Sequence, residues 1–263
     1  LNRNKLLIAE LKFIFKVFEK NKLNYALLKG GALILNRVIH PAERMIGDID
    51  ILVSNHDEKK AIKILNDLDY ISKYEYKYWK TNVHPNFINK NKIFAVDLHN
   101  DLLPKKYSKF LNSSEILKRT HKTSYGIKTL CIKDMILNTI YNYQICDYGT
   151  LKVNYSLRKI YDYYNLKKCM IKEIKPLDIH INSFFYFTNQ VSNNKDQVNK
   201  DMNLDLIILI AKYIKPNKKL NKTYISICNL FVESKNIYNK IIEFIFNQKY
   251  RTYALNKLGL FQK

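Results

Sequence analysis

The stretch Arg44-Met-Ile-Gly-Asp-Ile-Asp-Ile-Leu-Val53 decides how this chain is read. Ile49 to Val53 is an apolar run of strand length, and Asp48 and Asp50 sit two residues apart at its head. In a strand, alternate side chains share a face, so the two carboxylates point one way and Ile49 and Ile51 the other. Like charges placed side by side repel, and a divalent cation between them removes the repulsion.

Working outward, Tyr25-Ala-Leu-Leu28 is a second short apolar run, stopped by Lys29-Gly30-Gly31 and followed by a helical stretch, Ala32 to Arg37. The order strand, Gly-Gly, helix suits phosphate binding: without a Cβ the backbone approaches an anion closely, and N–H groups at a helix start face it. Lys29 and Arg44 flank this region, suited either to charge on a departing pyrophosphate or to plain salt bridges. Pro41 and Gly47 bracket the loop into the Asp48–Val53 strand, and Asp57 is positioned to cap a helix through Leu68. A strand is predicted over the Tyr-rich residues 70–80, closed by Pro85, and another over Asn91–His99. In the latter, Phe94 and Val96 share one face, and Ala95, Asp97 and His99 the other. If the strands of Asp48, Asp50 and Asp97 are neighbours, the three carboxylates converge.

From about residue 130 the apolar spacing becomes helical: Ile132, Met135, Ile136, Ile140 and Tyr143 form one face. Further helices are predicted around Leu157–Tyr164, Leu204–Ile214 and Ile237–Phe246, with a polar loop at Asn193–Gln197. The expected architecture is α/β (α+β): residues 1–125 a catalytic domain with a small mixed sheet and an N-terminal helix, residues 126–263 a helical domain. Arg158 and Asp162, four apart on one predicted helix, read first as an intrahelical ion pair.

Leu28-Lys-Gly-Gly-Ala-Leu33, Arg44 to Val53 and Val96-Asp-Leu-His99 together resemble the nucleotidyltransferase superfamily related to DNA polymerase β. Within it they are most similar to an uncharacterised bacterial branch; Ser156-Leu-Arg-Lys-Ile-Tyr-Asp162 is similar to a downstream element of that branch. Asn100 departs from the aromatic residue often found there, a difference that bears on the acceptor pocket. The resemblance implies a polymerase-β-like core and Mg²⁺-dependent transfer of a nucleoside monophosphate from an NTP such as ATP. Its metal and catalytic residues would be Asp48, Asp50 and Asp97, holding two Mg²⁺ ions, and its nucleotide contacts Gly30 and Gly31, with Lys29 and Arg44 beside them. The acceptor would be a small molecule, a peptide, or RNA such as tRNA.

The whole-chain properties set the competing classes. With 45 Lys+Arg against 23 Asp+Glu among 263 residues, the net charge of +22 would attract polyanions, although AT-rich coding also enriches lysine. A non-catalytic nucleic-acid or partner-binding module retaining the fold is therefore the alternative. A sugar-nucleotide glycosyltransferase using Asp-x-Asp is less well matched, for no Rossmann-like half precedes the pair. The N-terminal LNRNKLLIAELKFIF reads as an amphipathic helix without a cleavage pattern, and no run of eighteen apolar residues exists, so a cytoplasmic protein without membrane insertion is expected. Cys131, Cys146, Cys169 and Cys228 lack zinc or disulfide spacing and read as small core residues, so any metal here is oxygen-ligated.

Overall fold

The computed structural model describes residues 2–72, 83–170, 174–175, 177–192, 196–199, 202–246 and 248–257. Helix α1 (Asn2–Lys20) buries Leu7, Leu11, Ile14, Phe15 and Phe18, a stripe at three- and four-residue spacing. It leads into β1 (Tyr25–Leu27), where Tyr25 stacks on Phe15 with ring centroids 4.6 Å apart. Helix α2 (Lys29–Leu35) starts three residues earlier than the apolar spacing predicted, so both glycines lie in its first turn. Strand β2 (Asp48–Val53) follows, then α3 (Glu58–Asp67). Asp57 stands at the start of α3, but its carboxylate turns away to accept from the Asn24 N–H and the Ser54 hydroxyl.

Strands β3 (Ile71–Ser72), β4 (Val83–Ile88) and β5 (Ala95–His99) complete one side of the sheet. The rest of the strand predicted over 70–80 lies outside the described residues. Pro85 does not close a strand; it sits within β4, where the register shifts between His84 and Phe87. A residue without an N–H is tolerated at such an irregularity. After α4 (Ser113–Lys118), β6 (His121–Lys122) and β7 (Lys128–Thr129) form the opposite edge. The sheet has seven strands in the order β3-β4-β5-β2-β1-β7-β6, mixed in direction, with β2 in the middle. Ile49, Ile51 and Val53, on the face of β2 away from its carboxylates, join the α1 stripe in one core.

Helix α5 (Ile132–Tyr141) passes into a wide π-helical turn, Asn142–Cys146, and then into α6 (Gly149–Lys152) and α7 (Leu157–Lys168). The same core continues through Ile136, Ile140, Tyr163 and Leu166 into α8 (Ile179–Val191). The predicted 204–214 helix is α9 (Met202–Leu209) ending in a second π turn, Ile210–Ile214. The one predicted over 237–246 is the last third of α10 (Lys218–Phe246), which precedes α11 (Gln248–Lys257). Asn193–Lys195 of the predicted polar loop lie outside the described residues. No helix among the described residues is long and apolar enough to cross a membrane. All four cysteines are free; Cys228 is buried, but Cys169 is exposed and is not a core residue.

Candidate active site

Strands β2 and β5 run parallel, with Asp50 in register with Asp97 and Asp48 with Ala95. Residues paired across parallel strands point to the same side of the sheet, so the three acids share one face. One ligand oxygen from each of Asp48, Asp50 and Asp97 lies within 4.8 Å of the others. Sequence periodicity placed these side chains on one face, and the strand register brings them together.

Their electrostatic states differ. Burial and then the charges of Asp50 and Asp97 raise the Asp48 carboxyl above its usual range, although Asp48 is exposed at the strand end. Asp50 is 3% exposed, and burial alone would raise it as well. The His99 hydrogen bond and the Lys29 charge outweigh that and hold it at about 2. Lys29 Nζ donates to Asp50 Oδ1 at 2.5 Å and His99 Nε2 to the same oxygen at 3.0 Å. Both bonds fall on Oδ1, so the carboxylate is oriented through one oxygen and presents the other. Burial opposes the charge on Lys29, but Asp50 more than offsets it and the ammonium is raised. The backbone is also committed here: Lys29 has φ 46°, a left-handed conformation that lysine rarely adopts. That turn from β1 into α2 aims the side chain at β2.

The glycines stand against the protein's own side chains. A Cβ on Gly30 would collide with the guanidinium of Arg44 and the side chain of Ile46, and one on Gly31 would press on Leu27 at 3.2 Å. The space that glycine vacates is thus filled by the protein's own side chains. Arg44, lying over α2, faces Asp162 of α7: Nη2 donates to Oδ2 at 3.0 Å, and Nε lies 2.9 Å from Oδ1 as a charge contact without a hydrogen bond. This replaces the intrahelical Arg158–Asp162 pair expected from spacing: Arg158 is exposed and adds only a lesser charge effect at Asp162. Burial raises Asp162 above the usual carboxylate range, with Arg44 pulling it back. So Asp48, Asp50, Asp97, Lys29 and His99 form one cluster, while Gly30 and Arg44 form a second that faces α7.

Sequence reading missed Lys159, also on α7. It is enclosed beside Lys29, its ammonium is lowered first by burial and then by Lys29, and its nearest partner is Asn142 Oδ1 at 3.4 Å. Its only sequence signal is its place inside the Ser156-Leu-Arg-Lys-Ile-Tyr-Asp162 element.

A sequence profile of a family described as uncharacterised nucleotidyltransferase matches residues 1–170, well over half of the chain. The chain belongs to that family. A search of curated proteins finds no match. The nucleotidyltransferase match runs from α1 through α7, so it takes in the three acids and both ends of the Arg44–Asp162 pair. Nucleotidyltransferases act on NTPs and generally need a divalent metal. The donor set suits a hard cation: three carboxylates converge, and the nearby imidazole is occupied on Asp50.

Proposed function

We propose that this nucleotidyltransferase moves a nucleoside monophosphate from an NTP to a hydroxyl or phosphate acceptor, with Mg²⁺ on Asp48, Asp50 and Asp97. The observation that carries this reading is the in-register pairing of Asp50 with Asp97, with ligand oxygens of all three acids within 4.8 Å. Bound there, one or two Mg²⁺ ions would neutralise phosphate charge and acidify the acceptor oxygen. Asp48 and Asp50 face the nucleotide phosphates, and Asp97 takes the acceptor's proton. The acceptor oxygen bonds to the α-phosphorus, the bond to the β-phosphate bridging oxygen breaks, and pyrophosphate leaves. Lys29 and Lys159 supply positive charge for that leaving group, and Arg44 with Gly30 and Gly31 holds the wall they stand on. We read residues 1–125 as the catalytic part and 126–263 as the helical part, with β7 of the sheet contributed from just beyond that boundary. Four unpaired cysteines fit a reducing, cytoplasmic setting.

The test is Asp48→Asn with Asp50→Asn, assayed for transfer of label from α-³²P-NTPs in Mg²⁺. Wild-type transfer by the double variant would sink the assignment. RNA binding that falls steeply with salt, without NTP consumption by the intact protein, would favour the binding-module alternative suggested by the +22 charge.

A further inference from the structure

A cavity of about 710 Å³ opens beside the acid cluster. Asp97, His99 and Lys29 line it, whereas Asp48, Asp50, Gly30 and Arg44 do not. It therefore opens directly onto the carboxylate assigned to the acceptor's proton, while Asp50 stands behind Lys29 and His99, which are hydrogen-bonded to it. Its volume falls in the range of sites for small molecules, roughly 300–1,000 Å³.

The lining beyond Lys29 and Asp97 is close to neutral. Tyr107 and Pro104 form one wall, and Tyr148, Leu151 and Phe231 stand in the helical half. Among the described residues the only other charged groups on it are Lys106 and Asp147, of opposite sign, and Lys106 Nζ lies 4.4 Å from the Tyr107 ring centroid. A phosphate chain calls for several cationic contacts and a polyamine for several acids, and neither set is present there.

The polar contacts are neutral too. Thr150 Oγ1 donates to Gln144 Oε1 at 2.9 Å and meets His180 Nδ1 at 2.9 Å. Burial lowers the imidazole of His180, favouring its uncharged form. The backbone is shaped to bring these groups together. Gln144 lies in the π turn, Tyr148 is left-handed at φ 60°, and a Cβ on Gly149 would stand 2.7 Å from the Tyr143 ring and 2.9 Å from Gln144 Oε1. Wide turns and left-handed bulky residues carry strain and concentrate at functional sites.

We propose that this cavity takes the acceptor, and that the acceptor is an uncharged, hydroxyl-bearing small molecule with a flat ring face. The ring packs against the tyrosines while Gln144, Thr150 and His180 bond its polar edge. A hydroxyl of the acceptor stands at Asp97, gives that carboxylate its proton and forms the bond to the α-phosphorus as pyrophosphate departs. The proposal rests on the nucleotidyl-transfer reading above.

The experiment offers the full chain labelled NTP and Mg²⁺ with four probes: p-nitrophenyl β-glucoside (neutral), glucose 1-phosphate (anionic), an aminoglycoside (cationic) and total tRNA. Titration with a fluorescent NTP analogue runs in parallel. Transfer to the glucoside is expected at least tenfold above the other probes. Leu151→Trp, filling the cavity from an exposed position, should raise KM for the glucoside at least tenfold while the NTP analogue binds within twofold of wild type. Phe231→Asp, at a side chain 61% exposed and therefore safe for folding, should do the same more weakly. Preference for tRNA or a charged probe, absence of transfer to the glucoside, or indifference to both variants would each overturn the proposal. Failure of the wild type to bind the NTP analogue would instead remove the nucleotidyl-transfer reading beneath it.

Discussion

Asp50 and Asp162 are both nearly buried and both paired with a cation, yet they are built for opposite ends. At Asp162 the guanidinium of Arg44 lies against both oxygens, hydrogen-bonded to Oδ2 and in charge contact with Oδ1, so the carboxylate serves to hold α7 against the loop before β2. At Asp50 two donors share Oδ1, and a neighbouring strand delivers Asp97 in register with it. One guanidinium spread across a carboxylate screens both its oxygens; two donors on one oxygen orient it and leave the other able to bind something else. How the cation is placed across the two oxygens separates the architectural acid from the reactive one, which neither burial nor the presence of a partner does.

The sharpest way to break this contrast is Asp50→Asn. Asparagine keeps the size and an acceptor oxygen but removes the charge, so nucleotidyl transfer should fall by about a thousandfold or more, roughly 4 kcal/mol of barrier. Thermal melting should keep a cooperative transition; loss of the transition would make Asp50 architectural as well. Arg44→Ala should do the reverse. It strands a buried carboxylate, at about 3 kcal/mol of stability, read as the shift of the denaturant midpoint. Arg44→Met with Asp162→Leu should recover most of that loss, since an apolar pair of similar volume replaces the ions without a bare charge. Lys29→Met stands between the two, with transfer reduced about ten- to a hundredfold by lost charge on the leaving pyrophosphate. Arg158→Ala is the smallest change, within about 0.5 kcal/mol in stability, because the side chain is exposed and Asp162 takes its hydrogen bond from Arg44. A larger effect would restore the intrahelical pair that sequence spacing suggested.

What could be read in advance follows from the range over which each signal acts. Asp-Ile-Asp inside an apolar run fixes a shared face through a two-residue period, and the Val96-Asp-Leu-His99 run repeats that logic, so the acid cluster was legible. The register that makes Asp50 and Asp97 neighbours is a tertiary fact, consistent with the pattern but not contained in it. The partner of Arg44 is 118 residues away, and nothing local to either residue marks it. In the sequence the Gly30-Gly31 pair marks a place of close approach, but not what is approached: a Cβ would meet Arg44 and Ile46 at Gly30 and Leu27 at Gly31. Strands of two residues such as β6 and β7 carry no periodicity at all. Helix α10 is legible only over its last third, because Lys218–Asn236 mixes Asn, Ser, Thr and β-branched residues of modest helix propensity. The cavity wall is not legible in the sequence for a different reason: Tyr107, Thr150, His180 and Phe231 come from four separate segments.

The reach of the Arg44–Asp162 grip has a consequence for how the molecule comes into being. On the ribosome, the strand bearing Asp48 and Asp50 emerges more than a hundred residues ahead of α7, and through that interval the arginine has no Asp162 to pair with. The glycine turn gains its far wall when the later helix arrives, so the pocket chemistry matures late in synthesis. A nascent chain stalled before Leu157 would hold its acids beside an unanchored loop.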